Sequence, residues 1–400
     1  VTVADDENSQ KWEEFLNQFT WEELQSLAVN GNYGRPENSV AGLLKQTDWD
    51  GPVQVGGLNG DPERIGTYWV SPYIMGSTWN TEIMTRLGKA VGDECLHLNV
   101  GGWYAPGMNI HRSPFGGRNF EYYSEDGLLS GKIAAAVCRG SAQKGVIAYV
   151  KHAVLNDQET NRDSDRGLFT WASEQAIREI YLKPFELAVK EGHTLGTMNC
   201  ANRIGSWVGY SQGALQTGIF RGEWDFKGIT LTDAGGGGWD FARINSLWRN
   251  GTSLPLGFGD PEPTEFRDNM VYGKSSGSSS FDLASPTQWY WCRLSVAYNM
   301  YAAANSLAIR NGIMDGGKIR IDMKTNTVYN ESPFTLEVFG SDSVSEVKIS
   351  YGALPKGLTL SADGIISGTP ASAGTWGCIV TCRVDGWLDA TVKIRIVVSE

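Results

Sequence analysis

Along the chain, apolar positions first recur with helical spacing. Trp12, Phe15, Leu16 and Phe19 share one helical face, and Thr20 with Glu23 forms a capping box that starts a second helix through Leu24, Leu27 and Ala28. Asn30-Gly31 stops it. From about Trp79 helical and extended patterns alternate. Ile83, Leu87 and Val91 mark a helix, an apolar-polar stretch runs from Leu96 to Ile110, and Leu128 to Val137 marks another helix. Val146 to Val150 is a continuous apolar strand ending in Lys151-His152, followed by a polar loop from Asn156 to Asp165. Ser173 to Val189 is helical, Thr194 to Met198 extended, Ser211 to Glu223 helical and Gly228 to Thr232 extended. Strand-helix units at this spacing predict a parallel α/β barrel.

After Gly312 the pattern changes. Lys318–Met323, Thr335–Phe339, Val347–Tyr351, Leu358–Leu360, Cys378–Cys382 and Val392–Val398 are short alternating segments between turn residues, which predicts a small all-β sandwich. The fold class is therefore α/β plus all-β. Residues 1–10 read as a linker or tail, 11–313 as the barrel and 314–400 as the sandwich.

Composition narrows the chemistry. Four hundred residues suit two domains, and the formal charge of -11 is dispersed, which argues against a nucleic-acid surface. Fifteen Trp and fifteen Tyr offer flat amphipathic rings of the kind that suit sugars, and many of them also suit plain packing. No apolar run reaches membrane-spanning length. The six cysteines lack metal-ligand spacing, so neither a metal nor a cofactor is expected. Cys378 and Cys382, roughly 13 Å apart along one strand, are too distant to bond to each other.

The stretch KGITLTDAGGGGW (Lys227–Trp239) delivers a carboxylate, Asp233, at the end of a short buried strand and then breaks into glycines. In barrels, groups that do chemistry sit at such ends. Taken alone, the stretch fits a helix-capping Asp better. Other strand exits carry polar groups too. Asp50, Arg118, Lys151, His152 and Asp233 converge on one rim if the barrel closes, a set suited to a ligand rich in hydroxyls. Singly, each has a plainer reading: Asp50 as turn chemistry before Gly51-Pro52, Arg118 as an ion-pair partner, Lys151 as a surface cation, His152 as a core histidine.

Four runs, GMNIHRSPFGGRNFEYYSED (Gly107–Asp126), VKHAVLNDQETNR (Val150–Arg162), EQAIREIYLKPFELAV (Glu174–Val189) and GIFRGEWDFKGITLTD (Gly218–Asp233), resemble the catalytic barrel of family 3 glycoside hydrolases. The resemblance implies a retaining β-glycosidase, β-glucosidase-like, with Asp233 as nucleophile. It also implies that Asp50, Arg118, Lys151 and His152 hold the sugar in the first subsite, with Arg162 in support. Lys151 beside the nucleophile would keep it ionised. Trp49, Trp103 and Trp239 are candidate sugar platforms, with core packing as the alternative.

Retention needs a second carboxyl group about 5–5.5 Å from the first. In most enzymes that the chain resembles, this group comes from a separate α/β sandwich domain. One branch carries Asp-Ser-His in a barrel loop instead, where this chain has Asp163-Ser164-Asp165 and no His. Arg293–Ser306 resembles the last barrel helix of a permuted subgroup in which the sandwich precedes the barrel. The expectation is thus a donor on a separate chain or missing domain. A sugar-binding or scaffolding subunit is the alternative. Three departures, Ala153, Ala201 and Ala234, stand where the family has rings, so the pocket should be wider or refilled from elsewhere. The run LPKGLTLSADGIISGTP (Leu354–Pro370) resembles bacterial immunoglobulin-like domains appended to surface and extracellular proteins, which points to a secreted or surface location, with the cytoplasm as the alternative. A Ser/Gly-rich segment, Lys274–Ser280, reads as a connector.

Overall fold

The computed structural model describes residues 10–29, 31, 33–43, 45–56, 65–162, 167–234, 244–256, 286–306, 326–329, 334–337, 344–384 and 387–399. Asp163, Ser164, Asp165, Trp239, the glycines after Ala234, Lys274–Ser280 and Lys318–Met323 lie outside the described residues.

Two short helices open the chain, α1 (Gln10–Leu16) and α2 (Trp21–Val29). The capping box between them forms as expected. The Thr20 amide donates to Glu23 Oε2 at 2.8 Å, and the Glu23 amide donates to Thr20 Oγ1 at 3.3 Å. The strands that follow are β1 (Gly34–Arg35), β2 (Gln46–Asp50), β3 (Gly102–Tyr104), β4 (Ile147–Ala153), β5 (Phe169–Thr170), β6 (Gly196–Asn199), β7 (Arg203–Ile204), β8 (Trp207–Val208) and β9 (Ile229–Leu231). Six of these make one sheet in the order β1-β2-β3-β4-β6-β9. Only β1 is antiparallel to its neighbour. The rest are parallel and adjacent in chain order, a half-barrel. A parallel bridge from Leu231 to Leu254 extends it by one more rung.

Helices α3 (Pro72–Ser77), α4 (Thr81–Leu98), α5 (Gly127–Ala142), α6 (Glu174–Ala176), α7 (Lys183–Lys190), α8 (Ile244–Arg249) and α9 (Pro286–Asn305) complete the barrel layer. Because helices cover one face of the sheet and the barrel axis lies on the other, its strands are buried on both sides. All seven residues of β4 are buried, including Lys151 and His152, which lie within the strand and not beyond its end. Inside the half-barrel, Tyr104, Ile147, Tyr149, Met198, Ile229 and Leu231 form one cluster. Gly102 faces the same space, where a Cβ would come within 2.3 Å of Asp48 Oδ1 and 2.6 Å of the Tyr149 ring, so only glycine fits.

The far side closes through α9, whose Asn299 amide donates to the carbonyls of Leu27 at 3.1 Å and Ser253 at 3.2 Å. Arg293 reaches the Leu16 carbonyl at 3.0 Å and the Glu13 carboxylate at 2.8 Å. The first and last helices of the barrel are thereby tied together.

Sequence and structure differ in detail. The stretch from Leu96 to Ile110 begins inside a helix, since α4 runs to Leu98. Strands β5, β7 and β8 form a separate three-stranded sheet that no sequence period announced. Two-residue strands carry too little alternation to be read.

The C-terminal residues form a four-stranded sheet and a three-stranded one. The first holds β10 (Asn326–Tyr329), β12 (Val344–Gly352), β15 (Gly374–Val384) and β16 (Trp387–Ser399); the second holds β11 (Phe334–Glu337), β13 (Leu358–Leu360) and β14 (Ile365–Gly368). Leu358 and Ile366 of the smaller sheet join Val380, Ile394, Ile396 and Val398 of the larger in one apolar cluster. Both Cys378 and Cys382 lie on β15. No helix among the described residues is long and apolar enough to cross a membrane.

Candidate active site

Parallel strands end together, so β2, β4 and β9 deliver their last side chains to one rim. Asp50 closes β2, Lys151 and His152 lie near the end of β4, and Asp233 follows β9 by two residues. The site is assembled from these three ends and from the loop after β4.

Asp233 is 6% exposed. Its Oδ1 accepts the Ala234 amide at 2.7 Å, and its Oδ2 accepts Arg162 Nη1 at 3.0 Å. His152 Nε2 lies 3.8 Å from the same Oδ2. Behind Arg162 stands Glu159, whose Oε2 is 3.4 Å from Arg162 Nε and whose Oε1 accepts Asn156 Nδ2 at 2.9 Å. Burial raises the Glu159 carboxyl above its ordinary range, with Arg162 and Arg118 opposing the shift and Asp233 adding to it. Arg162 therefore sits between two carboxylates and fixes their relation.

Lys151 does not pair with Asp233, contrary to expectation. Its Nζ donates to Asp50 Oδ1 at 2.7 Å and lies 3.8 Å from Glu121 Oε2. Arg118 also pairs with Glu121. The buried Glu121 thus bridges both cations. Asp233 instead has Arg162 as its ion-pair partner, so the residue placed in support by sequence holds the central contact.

The state of His152 follows from its neighbours. Burial first, then the charges of Arg118, Lys151 and Arg162, push its pKa well below the usual value, so the imidazole is neutral. Asn156 Nδ2 donates to the Tyr122 hydroxyl oxygen at 3.3 Å, and that hydroxyl lies 3.3 Å from His152 Nδ1. Burial also raises the Tyr122 pKa, which keeps its proton on. The network assigns the Tyr122 proton to Nδ1, leaving Nε2–H as a donor. Nε2 is buried and has no hydrogen-bond partner, which is costly unless a ligand supplies one. It faces the gap beside Asp233.

The tryptophans resolve toward packing. Trp103 is 2% exposed and spends its indole N–H on the Gly51 carbonyl at 2.9 Å, so it offers no ring face to a sugar. Trp49 is its register partner and lies in the same core cluster. Of the three methyl positions, Ala153 is fully buried in that core and Ala201 is buried in the cluster around α9.

Asp157, on the loop after β4, accepts the Ile110 amide at 3.1 Å. Burial pushes its carboxyl up to about 7, against the lowering effects of that bond and of Arg112. A carboxyl raised in the fold favours folding while protonated. Its benefit is complete below the unfolded pKa of about 4 and is lost as pH rises towards the folded value. Asp157→Asn keeps an acceptor oxygen and removes the charge. It should gain about 4 kcal/mol at pH 8 and almost nothing at pH 4. Urea unfolding at both pH values measures this, and an equal gain at both would contradict the assignment.

Among the described residues no group of three His, Cys, Asp or Glu side chains is placed to hold a metal ion. The residues present instead form an array of charged donors and acceptors around one carboxylate, suited to a polyhydroxylated ligand. Residues 52–243 match the family model described as the glycosyl hydrolase family 3 N terminal domain.

Nearly half of the chain is thus similar to the family 3 glycoside hydrolase N terminal domain.

Residues 319–398 match the model described as "Putative Ig domain". Over 259 residues the chain is 37% identical to β-glucosidase A of Butyrivibrio fibrisolvens, covering 62% of this chain and 30% of that protein. Over 272 residues it is 34% identical to β-glucosidase B of Emericella nidulans, covering 66% and 30% respectively. The chain thus spans less than a third of the length of these relatives. The structure of β-glucosidase 3B from Thermotoga neapolitana in complex with glucose is similar over 78% of this chain and 45% of that one, with a TM-score of 0.64 and 28% identity.

Sequence reasoning left out Glu121, Tyr122, Asn156 and Glu159. Glu121 lies three residues after Arg118 in a short 3₁₀ turn, Asn119–Glu121, and that spacing was the available signal. Nothing local marks Tyr122 as the partner of His152.

Proposed function

We propose that this chain is the nucleophile-bearing barrel of a retaining β-glycosidase acting on β-linked glucosides or closely related sugars. The observation that carries the reading is the pairing of Asp233 Oδ2 with Arg162, next to an unpartnered His152 Nε2. The names of the relatives support the glucoside class.

In the first step an Asp233 oxygen attacks the anomeric carbon, and the bond from that carbon to the leaving oxygen breaks with its electron pair. A proton from an acid reaches the departing oxygen. Water then attacks the same carbon, the acid's conjugate base takes its proton, and the bond to Asp233 breaks. Asp50 and Lys151 would hold sugar hydroxyls at one side of the ring, Arg118 at another, and His152 Nε2–H would donate to a third. We place the acid outside the described residues, on a separate domain or a second polypeptide with the α/β sandwich. We also read the two C-terminal sheets as an immunoglobulin-like sandwich serving as a spacer, on a secreted or surface protein.

Retention is tested on the chain with a 2,4-dinitrophenyl β-glucoside, whose leaving group needs no proton. Proton NMR of the first product should show the β-anomer before mutarotation. Appearance of the α-anomer first would contradict the double displacement.

A further inference from the structure

Beside β2 stands an aromatic side chain that the mechanism has not used, Tyr33. Its backbone carbonyl accepts the Asp48 amide at 2.8 Å, which ties it alongside β2, the strand that ends in Asp50. The next residue, Gly34, is paired with Thr47, and a Cβ there would meet the Gln46 carbonyl oxygen at 1.9 Å. The chain therefore lies hard against β2, and Tyr33 itself takes a left-handed conformation with φ of 47°.

That backbone sends the ring inward. It packs on Tyr104, with centroids 5.8 Å apart, and Tyr104 is the register partner of Asp50 on the neighbouring strand. Tyr33 and Ala234, the residue after Asp233, both pack against the barrel-interior cluster. Tyr33 thus adjoins the strand partner of Asp50 and the same interior cluster as the residue after Asp233. Burial raises the Tyr33 hydroxyl to about 12, and the charges of Asp50 and Asp233 both add to the shift. The hydroxyl is therefore protonated at neutral pH. Among the described residues it makes no hydrogen bond, although the side chain is half-buried. A phenol in such surroundings ordinarily finds a partner.

We propose that Tyr33 is a substrate-contacting residue, its hydroxyl donating a hydrogen bond to a hydroxyl of the sugar seated between Asp50 and Asp233. The contact also makes Tyr33 a specificity determinant, because a sugar without that hydroxyl would leave the phenol unpaired. The proposal rests on the glycosidase reading above and goes beyond it by naming a residue from the N-terminal loop.

The test compares wild type with Tyr33→Phe, which keeps the ring and its packing on Tyr104. Both are treated with 2,4-dinitrophenyl β-glucoside and its four monodeoxy analogues, and thermal melting confirms the fold. For the parent glucoside kcat/KM should fall about tenfold in the variant, the size of one lost hydrogen bond. For one deoxy analogue the two proteins should react equally. If wild type turns over the glucoside and Tyr33→Phe matches it on all five substrates, the contact is refuted while the glycosidase reading stands. No turnover by wild type on any of the five would refute that reading, and this proposal with it.

Discussion

Replacing Asp233 by alanine should lower kcat/KM on 2,4-dinitrophenyl β-glucoside at least about a thousandfold, a loss of about 4 kcal/mol of transition-state stabilisation. The fold should survive. Arg162 loses its partner at Oδ2, but Glu159 remains 3.4 Å from its Nε, so the cation is not stranded. The missing carboxylate leaves space beneath the anomeric carbon, which azide can enter. Added azide should then restore turnover and yield the α-glycosyl azide, because attack comes from the face that Asp233 occupied. A variant that keeps wild-type rates would show that Asp233 is a structural carboxylate and not a nucleophile.

The second large effect belongs to Lys151. Its side chain is 1% exposed, and it neutralises Asp50 at 2.7 Å and Glu121 at 3.8 Å. Lys151→Met fits the volume and removes the charge, so Asp50 loses its 2.7 Å cation while Glu121 keeps its pairing with Arg118. Breaking a buried pair from one side costs about 3–5 kcal/mol, more than the pair contributed when intact. Urea unfolding should register a loss of that size at neutral pH. Adding Asp50→Asn to the same protein removes the carboxylate that lost its lysine and should recover part of the stability. It should not recover activity, because the proposed mechanism uses both Asp50 and Lys151 to hold sugar hydroxyls. If Lys151→Met unfolds at the wild-type midpoint, the pair is not buried in solution as it is in the structure.

Both predictions depend on how strand ends meet, and this is where sequence and structure part company. The continuous apolar run before Lys151 was readable as a buried strand, and the capping box at Thr20 and Glu23 was readable to the residue. Long local patterns of this kind are fixed by nearby chain geometry. The common rim was also legible, because parallel strands of a barrel deliver their ends to one face. Pairing across that rim was not. Lys151 belongs to Asp50 and Arg162 to Asp233, and no spacing along the chain distinguishes this from the reverse. Only side-chain reach in three dimensions decides it.

The misread aromatics make the same point from the packing side. Trp103 sits beside a motif, yet it is consumed by the core and by the Gly51 carbonyl. Tyr33 lay unnoticed because it precedes a strand of only two residues and its left-handed backbone leaves no periodic trace. Its place in the pocket comes from β2 and Tyr104, far along the chain or across the sheet. Glu121 and Glu159 were hidden for a related reason: each acts through a cation, Arg118 or Arg162, that sequence inspection assigned directly to the sugar.

The central claim, that Asp233 forms a bond to the sugar, is tested most directly by intact mass spectrometry after incubation with 2,4-dinitrophenyl 2-deoxy-2-fluoro-β-glucoside. A mass gain of one fluoroglucosyl unit is expected, mapped by peptide digestion to Asp233 and absent from Asp233→Ala. A label on another residue, or turnover with no covalent species, would contradict it.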